Sequence, residues 1–308
     1  MKKSFNPIVL LGCLLLMPVT PTRAQAKDVV VGVKLVNAPY DLAIPEQETI
    51  LEAMKKAGVR VIRAAIPLGD KGMSFAERVY AHGIKILLLG GVHYTGVAWP
   101  VAPKGFAGLW GAPGLSHADP EPLRVDFESQ LAKLEEKGIV LAGIEVSNQI
   151  NWAGFNADFP LPGQGRIFGP SDLTNDPEAQ QIAKGFLLYV KSLEALKDVR
   201  DHSKLNQHTP IISAGLADLD TRTHKLTWIK ADAVSPDATL DFLRAHGLDK
   251  WVDGYGLHFY PNQKTAAERL LHLRQNGLEQ RRPPGSAAGK RHVGLRNGDL
   301  TMLSIRAL

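Results

Sequence analysis

A chain of 308 residues, 44% of them hydrophobic and 22% charged, is globular in composition; this excludes disorder and fibrous order and suits one large α/β barrel or two smaller domains. The formal net charge of +5 is not a nucleic-acid footprint. Its basic excess sits in residues 1–26 and in residues 281–308, where Arg281, Arg282, Lys290, Arg291, Arg296 and Arg306 stand against the acid Asp299, and the mildly acidic stretch between them has no basic stripe.

Residues 1–26 carry Lys2 and Lys3, then the apolar run IVLLGCLLLMPV, then Ala24 and Ala26 as a small-x-small cleavage signal. This layout predicts a secretory signal peptide cut before Lys27, and so a secreted or periplasmic protein. A lipid anchor on Cys13, which follows Gly12, fits less well because the apolar run continues past the cysteine. Cys13 is the only cysteine, which leaves the mature chain without disulfides or thiol chemistry. No later run is long and apolar enough to span a bilayer, so neither membrane nor nucleic acid is an expected partner, and the protein is expected to be a monomer.

From Val29 onward, short β-branched runs alternate with helical patterns. The run VVVGVKL precedes EQETILEAMKKAG, VRVIRAAIP precedes SFAERVYAHG, and IKILLLGG leads through a long loop to LRVDFESQLAKLEEKG. Next, IVLAGIEVSN precedes PEAQQIAKGFLLYVKSLEALKDV, TPIISAGL precedes PDATLDFLRAHG, and VDGYGLHFYP precedes KTAAERLLHLRQNG. Six β-α units without hairpin signals predict a parallel sheet. Gly58, Gly83 and Gly138 end helices directly before strands, whereas the loops after strands at 90–122 and 150–177 are long and rich in Gly, Pro, Trp and Phe. Short returns before strands and long loops after them are the asymmetry of a TIM (β/α)8 barrel, whose site lies at the strand C-terminal ends; about six of its eight units are visible over 27–290. An open doubly wound sheet is the alternative, but no Gly-rich phosphate turn follows the first strand.

The fourth strand ends in VSNQINW. This stretch resembles the fourth-strand signature of clan A retaining glycoside hydrolases, in which an Asn-Glu pair closes the strand. The resemblance implies that Asn148 bonds a sugar hydroxyl and that Gln149 stands at the acid/base position, as an amide. It extends more weakly over 29–290: Arg63 near the end of strand two, and His258 and Tyr260 in HFYP, match side chains that surround the family's nucleophile. Trp99, Trp110 and Trp152 in the long loops are candidates to stack on sugar rings, or else form small loop cores; His93 is a weaker candidate. Glu145, four residues before Gln149, reads as a buried, paired core carboxylate. No His, Cys or carboxylate cluster has metal spacing, Asp218 and Asp220 read as a solvated turn, and no cofactor is expected.

The family's nucleophile ends strand seven, and after RPPGSAAGK the chain reads RHVGLRNGDLTMLSIRAL, without Glu. Synonymous codons for residues 292–300, read from the third base of the first, spell Cys-Trp-Leu-Thr-Glu-Trp-Gly-Leu, which looks like that strand. Both tryptophan codons require glycine in the observed frame, and Gly294 and Gly298 provide it. Residues 291–308 therefore read as an out-of-frame tail that packs poorly, and Gln149 as one base change from Glu. The expected function is that of a glycoside hydrolase-like protein acting on an oligo- or polysaccharide with impaired catalysis. The alternatives are a carbohydrate-binding pseudoenzyme and, less favoured for want of a second lobe and hinge, a periplasmic solute-binding protein. Amino-terminal sequencing of the exported protein should begin at Lys27; an intact Met1 or an acylated Cys13 contradicts the signal-peptide reading.

Overall fold

The computed structural model describes residues 30–35, 38–217, 226–227, 229–258 and 300–303, with the backbone alone at 30–31, 257 and 300–303. In chain order, β1 (Val30–Lys34), α1 (Ile44–Lys56), β2 (Val61–Ala64), α2 (Asp70–Ala81) and β3 (Lys85–Gly90) open the fold. The first long loop holds β4 (His93–Tyr94), paired antiparallel with β5 (Ala118–Asp119), and leads into α3 (Pro120–Glu136) and β6 (Gly143–Val146). After the second long loop, with β7 (Ile167–Phe168) and α4 (Asp172–Asn175), come α5 (Pro177–His202), β8 (Ile211–Ile212) and β9 (Leu216–Ala217). The remaining elements are β10 (Ala233–Val234), α6 (Pro236–Ala245), α7 (Leu248–Trp251), β11 (Leu257–His258) and β12 (Leu300–Leu303).

This is a mixed α/β fold around a six-stranded parallel sheet in the order β12-β1-β2-β3-β6-β8. The sheet runs on past β8, because β9 pairs in parallel with β11 and Ile212 bridges Gly254. Among the described residues no closed barrel is found. The predicted sixth helix, over 264–277, lies outside the described residues.

Element boundaries follow local chemistry. Gly58, Gly83 and Gly138 take φ of 78°, 73° and 67°, the left-handed turn that lets a helix reverse at once into the next strand. Helices α3 and α5 begin with proline behind an aspartate whose side chain accepts from the first-turn amides: Asp119 from Glu121 N, and Asp176 from Glu178 N and Ala179 N. Within the tail at 291–308, Leu300–Leu303 pairs in register with Val30–Val33. The backbone edge of β1 needs partners, and four residues suffice to supply them.

Side-chain alternation along the strands sorts residues into two layers. Ile62, Ile86, Ile144 and Ile211 point to the helices and join the large core, with Phe75, Leu123 and Phe186. Val61, Leu87 and Ile212 point to the other face and form a small separate cluster. Two residues beyond Val61 and Gly143 on that second face stand Arg63 and Glu145, so the same period that builds the core sets a charged layer above it.

One helix side chain ties this sheet together. Tyr189 of α5 is fully buried; its hydroxyl donates to Val146 O at 3.1 Å and accepts from Ala214 N at 2.6 Å, bridging the ends of β6 and β8. Tyr189→Phe removes the partner of both backbone groups in the core and is expected to cost about 2–6 kcal/mol, at roughly 1–3 for each stranded group. Urea unfolding of the two proteins measures it, and a difference below about 0.5 kcal/mol contradicts the bridge.

Candidate functional site

The site is assembled where β2, β6 and β11 end. Glu145, third in β6, is 4% exposed and receives two bonds from Arg63, third in β2: Nε to Oε2 at 2.6 Å and Nη2 to Oε1 at 2.7 Å. Gly215 N also donates to Glu145 Oε1, at 3.1 Å. Burial pushes the Glu145 carboxyl up, but the Arg63 guanidinium, followed by His258, outweighs it and holds the group down at about 2. Lys34, in register with Arg63 on β1, is pushed below the usual lysine range by burial and by Arg63, against the pull of Glu145.

Past Val146 the chain turns sharply. Ser147 and Gln149 both take left-handed φ, 67° and 49°, which strains a residue with a β-carbon. The turn is pinned from both sides, by Ser147 N to Gly90 O at 2.8 Å and Gln149 N to Gly215 O at 2.9 Å. Between them Asn148 bridges Gly215 and accepts from Arg63 Nη2 at 3.3 Å. Gln149 is 3% exposed. Its Oε1 accepts from Trp152 Nε1 at 3.1 Å, and its Nε2 lies 3.0 Å from His258 Nδ1. The other ring nitrogen, Nε2, faces Glu145 Oε1 at 3.6 Å. Burial pushes His258 below its ordinary value against the pull of Glu145, so the ring is neutral near pH 7.

Of the residues singled out in the sequence, Arg63, Asn148, Gln149, Trp152 and His258 therefore meet in one network, and Glu145 is the buried, paired carboxylate expected. The others make their contacts elsewhere. His93 pairs with Asp126 of α3 at 2.5 Å. Trp99 is 65% exposed and stands edge-on to Tyr94, with ring centres 6.3 Å apart. Trp110 spends its indole N–H on Phe159 O at 2.8 Å, a link that belongs to the loop's own core. Tyr260, Asp218 and Asp220 lie outside the described residues.

Three features carry no periodic signal and were not anticipated. Lys34 joins the charged layer. Among the described residues, Arg63 Nη1 is buried without a hydrogen-bond partner. In the second loop, Arg166 pairs with Asp176 at 3.3 Å and with Glu178, while Asp232, fully buried, accepts from Gln164 N and Arg166 N at 2.9 and 2.7 Å. The Asp232 carbonyl accepts from Ala153 N, so this cluster backs the turn that carries Trp152. A cleft of about 220 Å³ on the first loop, lined by residues including Val97, Pro113, His117 and Asp158, includes none of the network residues. Among the described residues no group of His, Cys, Asp or Glu could hold a metal ion, and no helix is long and apolar enough to cross a membrane.

No family model matches the chain, and no curated protein matches it. Solved structures that the chain matches include one of two fungal β-1,4-galactanases (14% identity over 75% of this chain and 64% of that one, TM-score 0.43). Others are a GH39 β-xylosidase from Caulobacter crescentus (14%, 82% and 50%, TM-score 0.46) and an agarase (12%, 75% and 33%, TM-score 0.37). The chain thus spans less than two thirds of each of these structures.

Glu145 makes the stability of the fold depend on acid. Its carboxyl titrates at about 2 when folded, against an ordinary value of 4.5, so the folded state is favoured wherever the group is ionised. That contribution, on the order of 3 kcal/mol, is complete above about pH 5 and is lost as pH falls through the folded value near 2. Urea unfolding from pH 6 to pH 2 should show this loss, and Glu145→Gln, already destabilised at pH 6, should show a shallower one. Equal slopes for the two proteins contradict the assignment.

Proposed function

We propose that the chain is a glycoside hydrolase-like (β/α)8 barrel, exported from the cell, that binds a β-linked saccharide at the ends of its strands and hydrolyses it poorly or not at all. The observation that carries this reading is the Asn148-Gln149 pair at the end of β6, held in one network with Arg63, Glu145, Trp152 and His258. Retaining glycosidases set two carboxyl groups about 5–5.5 Å apart, one to protonate the leaving oxygen and one to attack the anomeric carbon. At the first of these positions an amide has no proton to give, which forfeits roughly 10²- to 10⁴-fold in rate. Arg63 Nη1, buried and without an acceptor, is the kind of donor that a second carboxylate would satisfy. Glu145 does not replace either group, because both of its oxygens are engaged by Arg63 and Gly215.

In this reading the strand-seven carboxylate was lost with a single base near the Lys290 codon, and the segment at 291–308 is the out-of-frame product. A binding role without chemistry is favoured by Gln149 itself, whose amide has a partner at each end.

Isothermal titration of the 308-residue protein with β-linked oligosaccharides should show affinity without turnover. Gln149→Glu in this chain should remain inactive for want of a nucleophile. The frame-restored protein that keeps Gln149 should turn over only an aryl glycoside whose leaving group needs no protonation, and slowly. Frame restoration combined with Gln149→Glu should cleave natural oligosaccharides. Hydrolysis by the unmodified chain at the rate of the double repair contradicts the proposal.

A further inference from the structure

We propose that Gln149 is a positioning residue: its amide fixes His258 as the neutral ring protonated on Nε2, so that the site offers a donor beside the Glu145 carboxylate. The logic is one of donors and acceptors. An indole N–H can only donate, so the Gln149 atom 3.1 Å from Trp152 Nε1 is the amide oxygen. The amide nitrogen, which also can only donate, is then the atom 3.0 Å from His258 Nδ1. Nδ1 must supply a lone pair there; a proton on it would set N–H against N–H. The single proton of the neutral ring is therefore on Nε2, the nitrogen that faces Glu145 Oε1 at 3.6 Å.

The ring is held in this attitude by close approach to backbone. A β-carbon on Gly215 would lie 2.2 Å from His258 Nε2 and 2.3 Å from Cδ2, so only glycine lets the imidazole lie against that strand. The charged groups around the ring are Glu145, Arg63 and Lys34: one favours an imidazolium and two oppose it, and burial opposes it further.

The Glu145 contact, at 3.6 Å, is too long to use the Nε2 proton fully. A ligand hydroxyl arriving there would find a donor in His258. Only this last step rests on the proposed saccharide function; the protonation state stands without it. Position 149 consequently is not a neutral substitution of an acid. A carboxylate there would present acceptors to both Trp152 and Nδ1, and His258 could satisfy it only by placing a proton on Nδ1, either as the other neutral tautomer or as a cation.

Long-range nitrogen-proton NMR on the full chain with ring-¹⁵N-labelled histidine reads this directly, with His258 assigned by its loss in His258→Gln. At pH 7 the unmodified protein should show Nδ1 unprotonated and Nε2 protonated. In Gln149→Glu Nδ1 should be protonated at the same pH, in the other neutral tautomer or in the imidazolium. In Trp152→Phe, where the indole donor to the amide oxygen is gone, the two neutral tautomers should coexist. A proton on Nδ1 in the unmodified protein overturns the proposal, and that result needs no variant to fold; so does an unchanged ring in Gln149→Glu. Failure to bind oligosaccharides with the tautomer as stated would defeat the proposed function and leave this inference standing.

Discussion

The buried ion pair between Arg63 and Glu145 is the constraint on which the strand ends depend. Both side chains leave water almost entirely, and such a pair holds only if its geometry and its remaining hydrogen bonds are good, since removing one partner strands a buried charge at about 3–5 kcal/mol. Here the pairing is two-pronged and spans β3 to join β2 with β6. Glu145 then reaches Gly215 at the start of β9 and faces His258 on β11, while Arg63 reaches Asn148. Four strand ends are thus referred to one carboxylate.

The alternation that created this layer is also what made it legible. Strand-helix units, the glycine reversals at Gly58, Gly83 and Gly138 and the burial of Glu145 follow from periods of two and 3.6 and from the cost of an unpaired buried acid. What periodicity does not encode is which side chains meet across the sheet. That Arg63 takes Glu145, that Trp152 turns back on Gln149 and that Tyr189 bridges β6 to β8 depend on inter-strand register and loop path. The same holds for Asp232, whose loop partners are fixed by a turn rather than by a repeat. Strand β12 was missed for another reason: four residues without a helix behind them give no sequence signal, and an open β1 edge supplies the pairing.

Gln149 can be weighed as a loss or as an adaptation. As a loss, it is one base from the acid that retaining chemistry needs. In its own surroundings it is the residue type that satisfies a donor-only indole on one side and an imidazole lone pair on the other, whereas a carboxylate would require a proton on that ring nitrogen. Under the proposed saccharide function, a site whose neighbours suit the amide would favour binding over turnover.

The measurement that bears most directly on this organisation is a double-mutant cycle between Arg63→Met and Glu145→Leu, read by urea unfolding at pH 7. Each single change strands the other charge, whereas the double change leaves an apolar pair on the face shared with Val61, Leu87 and Ile212. The single variants should each lose about 3–5 kcal/mol and the double variant far less than their sum, with a coupling of at least about 2 kcal/mol. Additive losses would mean that the pair does not organise the strand ends.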